Sequence, residues 1–272
     1  MAYDPVRNVT VLYGGRSGMT VLDDGTWLYD GRTASWTHLV DAFGPASDFS
    51  AMAYDAVHQE LVLFGGYQSG AETWTWNGAT WRRRMPTTSP PARALHSMAW
   101  DPDRQRVVMF GGRQVTSGLR HQDLWEWDGT NWQQRVTTGG PIGLSSAMAW
   151  DPTRHVLVVF GAHDQVVNNE LWELGSGSAW LLRSPSNPPS PRAGSVGAFF
   201  PPAAKVMVVG GRDGASNYLA GAFLTDGASW ATVTPDCGAR QYAAMTWDSA
   251  RGKLVLFGGV GPAGELGDTW EY

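Results

Sequence analysis

Residues 98–112 read MAWDPDRQRVVMFGG. Asp101-Pro102-Asp103-Arg104 is a tight turn: Pro sets φ at the second position, and the leading Asp can accept from the backbone beyond it. Val107-Val108-Met109-Phe110 is a continuous apolar run, the pattern of a strand covered on both faces. Gly111-Gly112 ends it. The same string returns as MAYDPVRNVTVLYGG from Met1, MAYDAVHQELVLFGG from Met52 and MAWDPTRHVLVVFGA from Met148. A degenerate copy, GAFFPPAAKVMVVGG, begins at Gly197, and MTWDSARGKLVLFGG begins at Met245. Six copies at a period of about 50 residues make this a repeat protein.

Within the third copy the pattern predicts four short strands, over residues 95–100, 106–110, 124–127 and 131–135. Valine and aromatic residues supply the strands, and Asp128-Gly129 closes the third. Four antiparallel strands repeated at a fixed period describe one blade of a β-propeller. The expected fold is therefore all-β and six-bladed, as a single domain over 1–272. The blades span approximately 1–44, 45–90, 91–140, 141–188, 189–236 and 237–272. The double glycine after an apolar strand, the W-x-W or variant, the Asp-Gly and the spaced Trp together resemble the kelch repeat. That resemblance covers essentially the whole chain and implies a propeller with each blade's first strand innermost, lining a channel.

The sixth copy runs from Met245 to Tyr272 and stops before a fourth-strand stretch. Its blade is expected to have three strands, without the usual overlapping strand closure. A monomeric ring is the favoured reading, with pairing of the edge 268–272 to another chain, or excision from a longer or engineered array, as alternatives.

The 15 tryptophans all fall in the repeat register. Trp100, Trp150 and Trp247 stand on first strands, Trp74, Trp125, Trp172 and Trp270 are among those on third strands, and Trp81, Trp132 and Trp230 are among those leading fourth strands. This is the placement of blade-to-blade packing, since each ring can bury about 150–250 Å². A net charge of −5 argues against a nucleic-acid-coating protein. No run approaches a membrane span, the stretch MAYDPVRNVT lacks the basic-then-apolar architecture of a signal peptide, and the chain reads as soluble with its compartment open. The single cysteine, Cys237, excludes an intramolecular disulfide.

The Asp-Pro-x-Arg and Asp-Gly turns share one end of each blade, and the long variable loops share the other, where binding usually resides. The residue after each double glycine forms a rim there: Arg16, Tyr67, Arg113, His163, Arg212 and Val260. The lead-ins to the first strands add Arg93, His96, Arg192, Arg240 and Tyr242. This rim is basic in an acidic protein, which would focus an anionic ligand or partner. Its arginines have a structural alternative, pairing with loop carboxylates such as Asp123, Asp164 or Asp213. Glu72, Asp123, Glu170 and Asp268 recur two residues before a third-strand Trp, as turn-stabilising acids. Arg7, Arg104, Arg154 and Arg251 recur in the short turns, where they would be solvated or stacked on a neighbouring ring.

Copper radical oxidases resemble this architecture and use a Cys–Tyr cross-link with two histidines; Cys237 lies near Tyr242, but no histidine accompanies it. The iron-binding Glu-x-x-x-Asp-x-x-x-His string of the plant specifier proteins is absent. A metal set from His96, His121 and His163 would require loops from different blades to converge. No catalytic set, metal or cofactor is assigned. The reading is a non-enzymatic recognition or scaffold propeller binding a protein or a small, anionic ligand on its loop face, with a metal-dependent or other enzyme on the same face as the second class and a propeller module or engineered fragment without independent activity as the third.

Overall fold

A computed structural model describes residues 1–17, 21–40, 42–161, 166–234 and 236–272. Five antiparallel sheets contain four strands each and a sixth contains three. The first blade consists of Ala2–Asp4, Val9–Tyr13, Thr26–Asp30 and Ser35–Leu39, and the second of Ala51–Asp55, Glu60–Phe64, Thr73–Trp76 and Trp81–Arg84. The third blade consists of Ser97–Asp101, Arg106–Phe110, Leu124–Trp127 and Trp132–Arg135. Its second and third strands coincide with the expected ones. Its first begins two residues later, because Leu95 adopts a left-handed φ of 60° that no strand accommodates.

Blade four contains Ala147–Asp151, Val156–Phe160, Leu171–Leu174 and Leu181–Arg183. Blade five contains Val196–Phe200, Lys205–Val209, Ala222–Thr225 and Trp230–Val233, and blade six Ala244–Asp248, Lys253–Phe257 and Thr269–Glu271. The only helix among the described residues is the 3₁₀ turn Pro201–Ala203, which replaces the Asp-x-x-Arg turn in the degenerate fifth copy. The chain is thus a six-bladed β-propeller with a three-stranded last blade. It forms two compact units, Met1–Arg135 with Asp248–Arg251, and Val136–Trp247 with Gly252–Tyr272.

Within each unit the core lies between successive blades. In the first unit, Leu61 and Leu63 of blade two pack with Val11, Tyr13, Trp76 and Trp81. Val62 and Phe64, on the other face of the same strand, pack with Val107, Met109, Trp127 and Trp132. The second unit repeats this: Val206 and Val208 pack with Val158, Phe160 and Trp230, and Met207 and Val209 with Leu254 and Leu256. A strand with both faces buried has no polar alternation, which is why VVMF recurs without it. Two of the fourth-strand tryptophans also reach the preceding blade by hydrogen bond. Trp81 Nε1 donates to Thr26 Oγ1 at 2.9 Å, and Trp132 Nε1 to Thr73 Oγ1 at 2.9 Å.

The short-turn arginines do more than sit in solvent. Asp4 Oδ1 accepts the Val6 and Arg7 amides while its Oδ2 holds the Arg7 guanidinium, which also donates to the Asn77 carbonyl of the next blade. His58 fills the same place in blade two, bonded to Asp55 at 2.8 Å and lying over Gly129 of blade three. In the second unit Arg154 lies over Gly227. Arg251, in the turn of the last repeat, donates to the Gly31 carbonyl at 3.0 Å and lies 5.7 Å from the Tyr29 ring, so stacking does occur there. The Asp-Gly glycine therefore has two uses. Gly129, Gly227 and Gly78, which follows Asn77, have positive φ as well as a side chain over the Cβ position, whereas Gly31 lacks the positive φ and is small only because Arg251 occupies the position of its missing Cβ.

This separates the two uses experimentally. Gly31→Ala should displace the Arg251 guanidinium and cost about 1 kcal/mol, the worth of its hydrogen bond. In an Arg251→Ala background the same change should cost almost nothing, and a urea-denaturation double-mutant cycle measures the difference.

Candidate functional site: the loop face

The loop face is organised by the lead-in to each first strand. Its third residue is left-handed in five blades: Phe49 at φ 55°, Leu95 at 60°, Ser145 at 54°, Gly194 at 71° and Tyr242 at 57°. Bulky residues rarely adopt this conformation without compensation. The compensation is a backbone bond from blade to blade. In the first unit Leu95 N–H donates to the Phe49 carbonyl at 3.0 Å. In the second, Gly194 N–H donates to Ser145 O and Tyr242 N–H to Gly194 O, both at 2.8 Å.

Two residues earlier in the lead-in stands the repeated arginine. Arg93 is fully buried. Its Nη atoms grip Asp123 at 2.5 and 2.9 Å, and Nη1 donates also to the Gly111 carbonyl at 3.0 Å. Arg240 repeats the arrangement with Asp268, at 2.8 Å to each oxygen, and with Gly258 O at 3.0 Å. Each carboxylate also accepts the indole N–H two residues on, Trp125 for Asp123 and Trp270 for Asp268. Glu72 and Glu170 accept from Trp74 and Trp172 in the same way. The recurrent acids thus serve as side-chain anchors as well as neighbours of a turn.

Arg192 breaks the pattern. The position of its acid is Gly221, and the Phe223 ring lies under the guanidinium at 4.7 Å. Carbonyls of Ser190, Gly210 and Ala220 take its hydrogen bonds. Burial with no carboxylate pushes its pKa down to about 10. In blade two Ser47 holds the arginine's place, and its hydroxyl donates to the Gly65 carbonyl at 3.1 Å. In blades two, three, five and six this position of the lead-in thus donates to the first glycine of the pair, whereas blade four has Gly143 there.

The rim residues therefore separate. Arg93, Arg192, Arg240 and His96 are buried, with the three arginines committed to the fold. Arg16 is partly exposed and lies 3.3 Å from Asp48. Tyr67 meets Phe49 edge-on at 5.6 Å. Arg113 is exposed, its main chain paired with Ala94 and Arg120. Arg212 is half-buried and pairs with Ala193 and Tyr218 in the same manner. Among the described residues, neither Arg113 nor Arg212 has a carboxylate within ion-pair distance. Tyr242 is partly exposed. His163 and Asp164 lie outside the described residues. Asp213 is engaged by Asn217, not by a rim arginine. The sequence reading did not single out Phe49 and Leu95; their constant offset before the repeat's Met was the available signal.

Among the described residues no group of three or more His, Cys, Asp or Glu could hold a metal ion. Cys237 is buried, and burial, partly offset by Tyr272 and Arg240, raises its thiol pKa. No helix among the described residues is long and apolar enough to cross a membrane.

Six sheets of this order, with the repeated glycine turn after the second strand and a buried arginine in three of the lead-ins, define a kelch-type propeller. The profile of the KLHDC2/KLHL20/DRC7 kelch-repeats domain matches residues 2–180, and the chain belongs to that kelch-repeat family. No curated protein matches it.

Two measurements test the buried pairs. Arg93→Met leaves the half-buried Asp123 without its partner and should cost about 3 kcal/mol in unfolding free energy. Arg240 holds Asp268 down to about 2, and Asp123 is also held low by Arg93, against the raising effect of its burial. A carboxylate depressed in the folded state stabilises above its ordinary pKa of about 4, and that stability is lost as pH falls through the folded value. The urea midpoint should thus drop between about pH 4 and 2, and Asp268→Asn should flatten that drop.

Proposed function

We propose that this chain is a non-enzymatic recognition domain whose loop face binds a protein through an acidic segment. Kelch propellers bind proteins in general, and the family match supports that class here. The observation that carries the finer reading is a contrast within one blade. Arg93 is enclosed and neutralised by Asp123, whereas Arg113, twenty residues later, is exposed with no carboxylate in reach among the described residues. A cation that the fold does not use is available to a partner. Tyr67 and Phe49 add aromatic surface to the same unit, and half-buried Arg212 and exposed Tyr242 are the corresponding groups of the second.

Selection of a displayed peptide library against the chain provides the test. Enriched peptides should be acidic, should bind more weakly at high salt, and should lose about tenfold or more in affinity on Arg113→Ala or Tyr67→Ala. Unchanged affinity in Arg113→Ala and Arg212→Ala would remove the rim from the reading.

A further inference from the structure

His96 stands where other blades carry Ser50, Ser146, Ser195 and Ala243. The serine of blade five shows what the position ordinarily does: Ser195 Oγ donates to the Gly210 carbonyl at 2.9 Å. In blade three the hydroxyl is replaced by an imidazole that is 6% exposed and whose two nitrogens have no hydrogen-bond partner. The ring meets Phe64 of blade two edge-on, centroids 5.7 Å apart. A Cβ on Gly65 would lie 3.1 Å from its Cε1, and one on Gly112 would lie 2.8 Å from the histidine's own Cβ. The double glycines of two blades thus close against it.

The charged and titratable groups acting on it are Arg93, His121 and Asp123. Asp123 is already committed to Arg93 and Trp125, and Arg93 to Asp123 and two carbonyls. A proton on His96 would create a second buried cation beside Arg93, and the Phe64 backbone that favours it does not outweigh burial and the Arg93 charge. The segment that would have to yield is the lead-in itself. It carries left-handed Leu95, bonded to Phe49, and Ala94, whose backbone pairs with Arg113.

We propose that His96 is a proton-operated wedge: acidification opens the lead-in 93–96 at the junction of blades two and three and frees the backbone that positions Arg113. The device needs no ligand, so it stands or falls separately from the recognition reading.

The direction follows from linkage. Burial, and then Arg93, lower the His96 pKa from 6.5 to about 3 in the closed structure. The open form therefore binds an extra proton between those values, so opening grows as pH falls below about 6.5 and is unaffected well above it. Between pH 7.5 and 5.0 the opening constant should rise about 30-fold.

Hydrogen exchange of the purified chain at those two pH values, corrected for intrinsic rates, reads this directly. The Leu95, Ala94 and Arg113 amides should lose about 30-fold in protection, while Val107 and Met109 on the buried second strand should not. His96→Ser, the residue of three other blades, should abolish the loss, as should His96→Ala, while His121→Ser should retain it. Invariant protection in the wild-type chain overturns the proposal, whatever the variants do. So does an equal loss in His96→Ser or His96→Ala.

Discussion

The fold depends on how closely a lead-in carbonyl approaches the first glycine of the preceding blade. A Cβ on Gly14 would lie 2.7 Å from Ser47 O, and one on Gly65 would lie 2.5 Å from Arg93 O. Gly161 and Gly210 stand in the same relation to Arg192 O and Arg240 O. The neighbour at each place is backbone, which cannot move aside as a side chain can, so any residue larger than glycine would push successive blades apart. The second glycine then donates to the next lead-in, as Gly66 N–H does to Arg93 O at 2.9 Å. Blade spacing is set at this contact, and the interblade tryptophan layers fill the distance it allows.

From that spacing the loop face follows. A lead-in pressed against a glycine must turn through a left-handed residue to enter its strand, and the backbone bond to the preceding blade compensates for that conformation. The arginine two residues before it is drawn inside, where it satisfies the glycine carbonyl and, in blades three and six, a carboxylate. The functional consequence is a division of labour among residues of one type. Arg93, Arg192 and Arg240 in the lead-ins are buried and committed to the fold, whereas Arg113, after the double glycine, is exposed. Blade three carries one of each, with a buried histidine between them in the same lead-in.

At the opposite end, the Asp-x-x-Arg turns form a second set of clasps. Asp caps its own turn and holds the arginine, which reaches over the glycine of the following blade. The last repeat's Arg251 makes this contact on Gly31 of the first repeat, so the clasp is retained where the sixth sheet has only three strands. Fold and face are therefore stabilised by separate sets of polar contacts, with the apolar layers between them.

Periodicity made the architecture legible in the amino-acid sequence. The apolar second strand, the double glycine and the Asp-Pro turn are local patterns, and each records its own backbone requirement whatever it packs against. Blade number, strand order and the scaffolding role of the tryptophans could all be read from them. Which arginine is buried could not, because Arg93 and Arg113 are the same residue type on neighbouring stretches of one loop face. Their difference arises from partners 30 residues away in Asp123 and across a blade junction in Gly65, and only chain folding brings these into contact. The same holds for Gly31 and for His96: sequence shows a small residue and an odd substitution, and the tertiary structure supplies the guanidinium that fills one and the enclosure that leaves the other without a hydrogen bond.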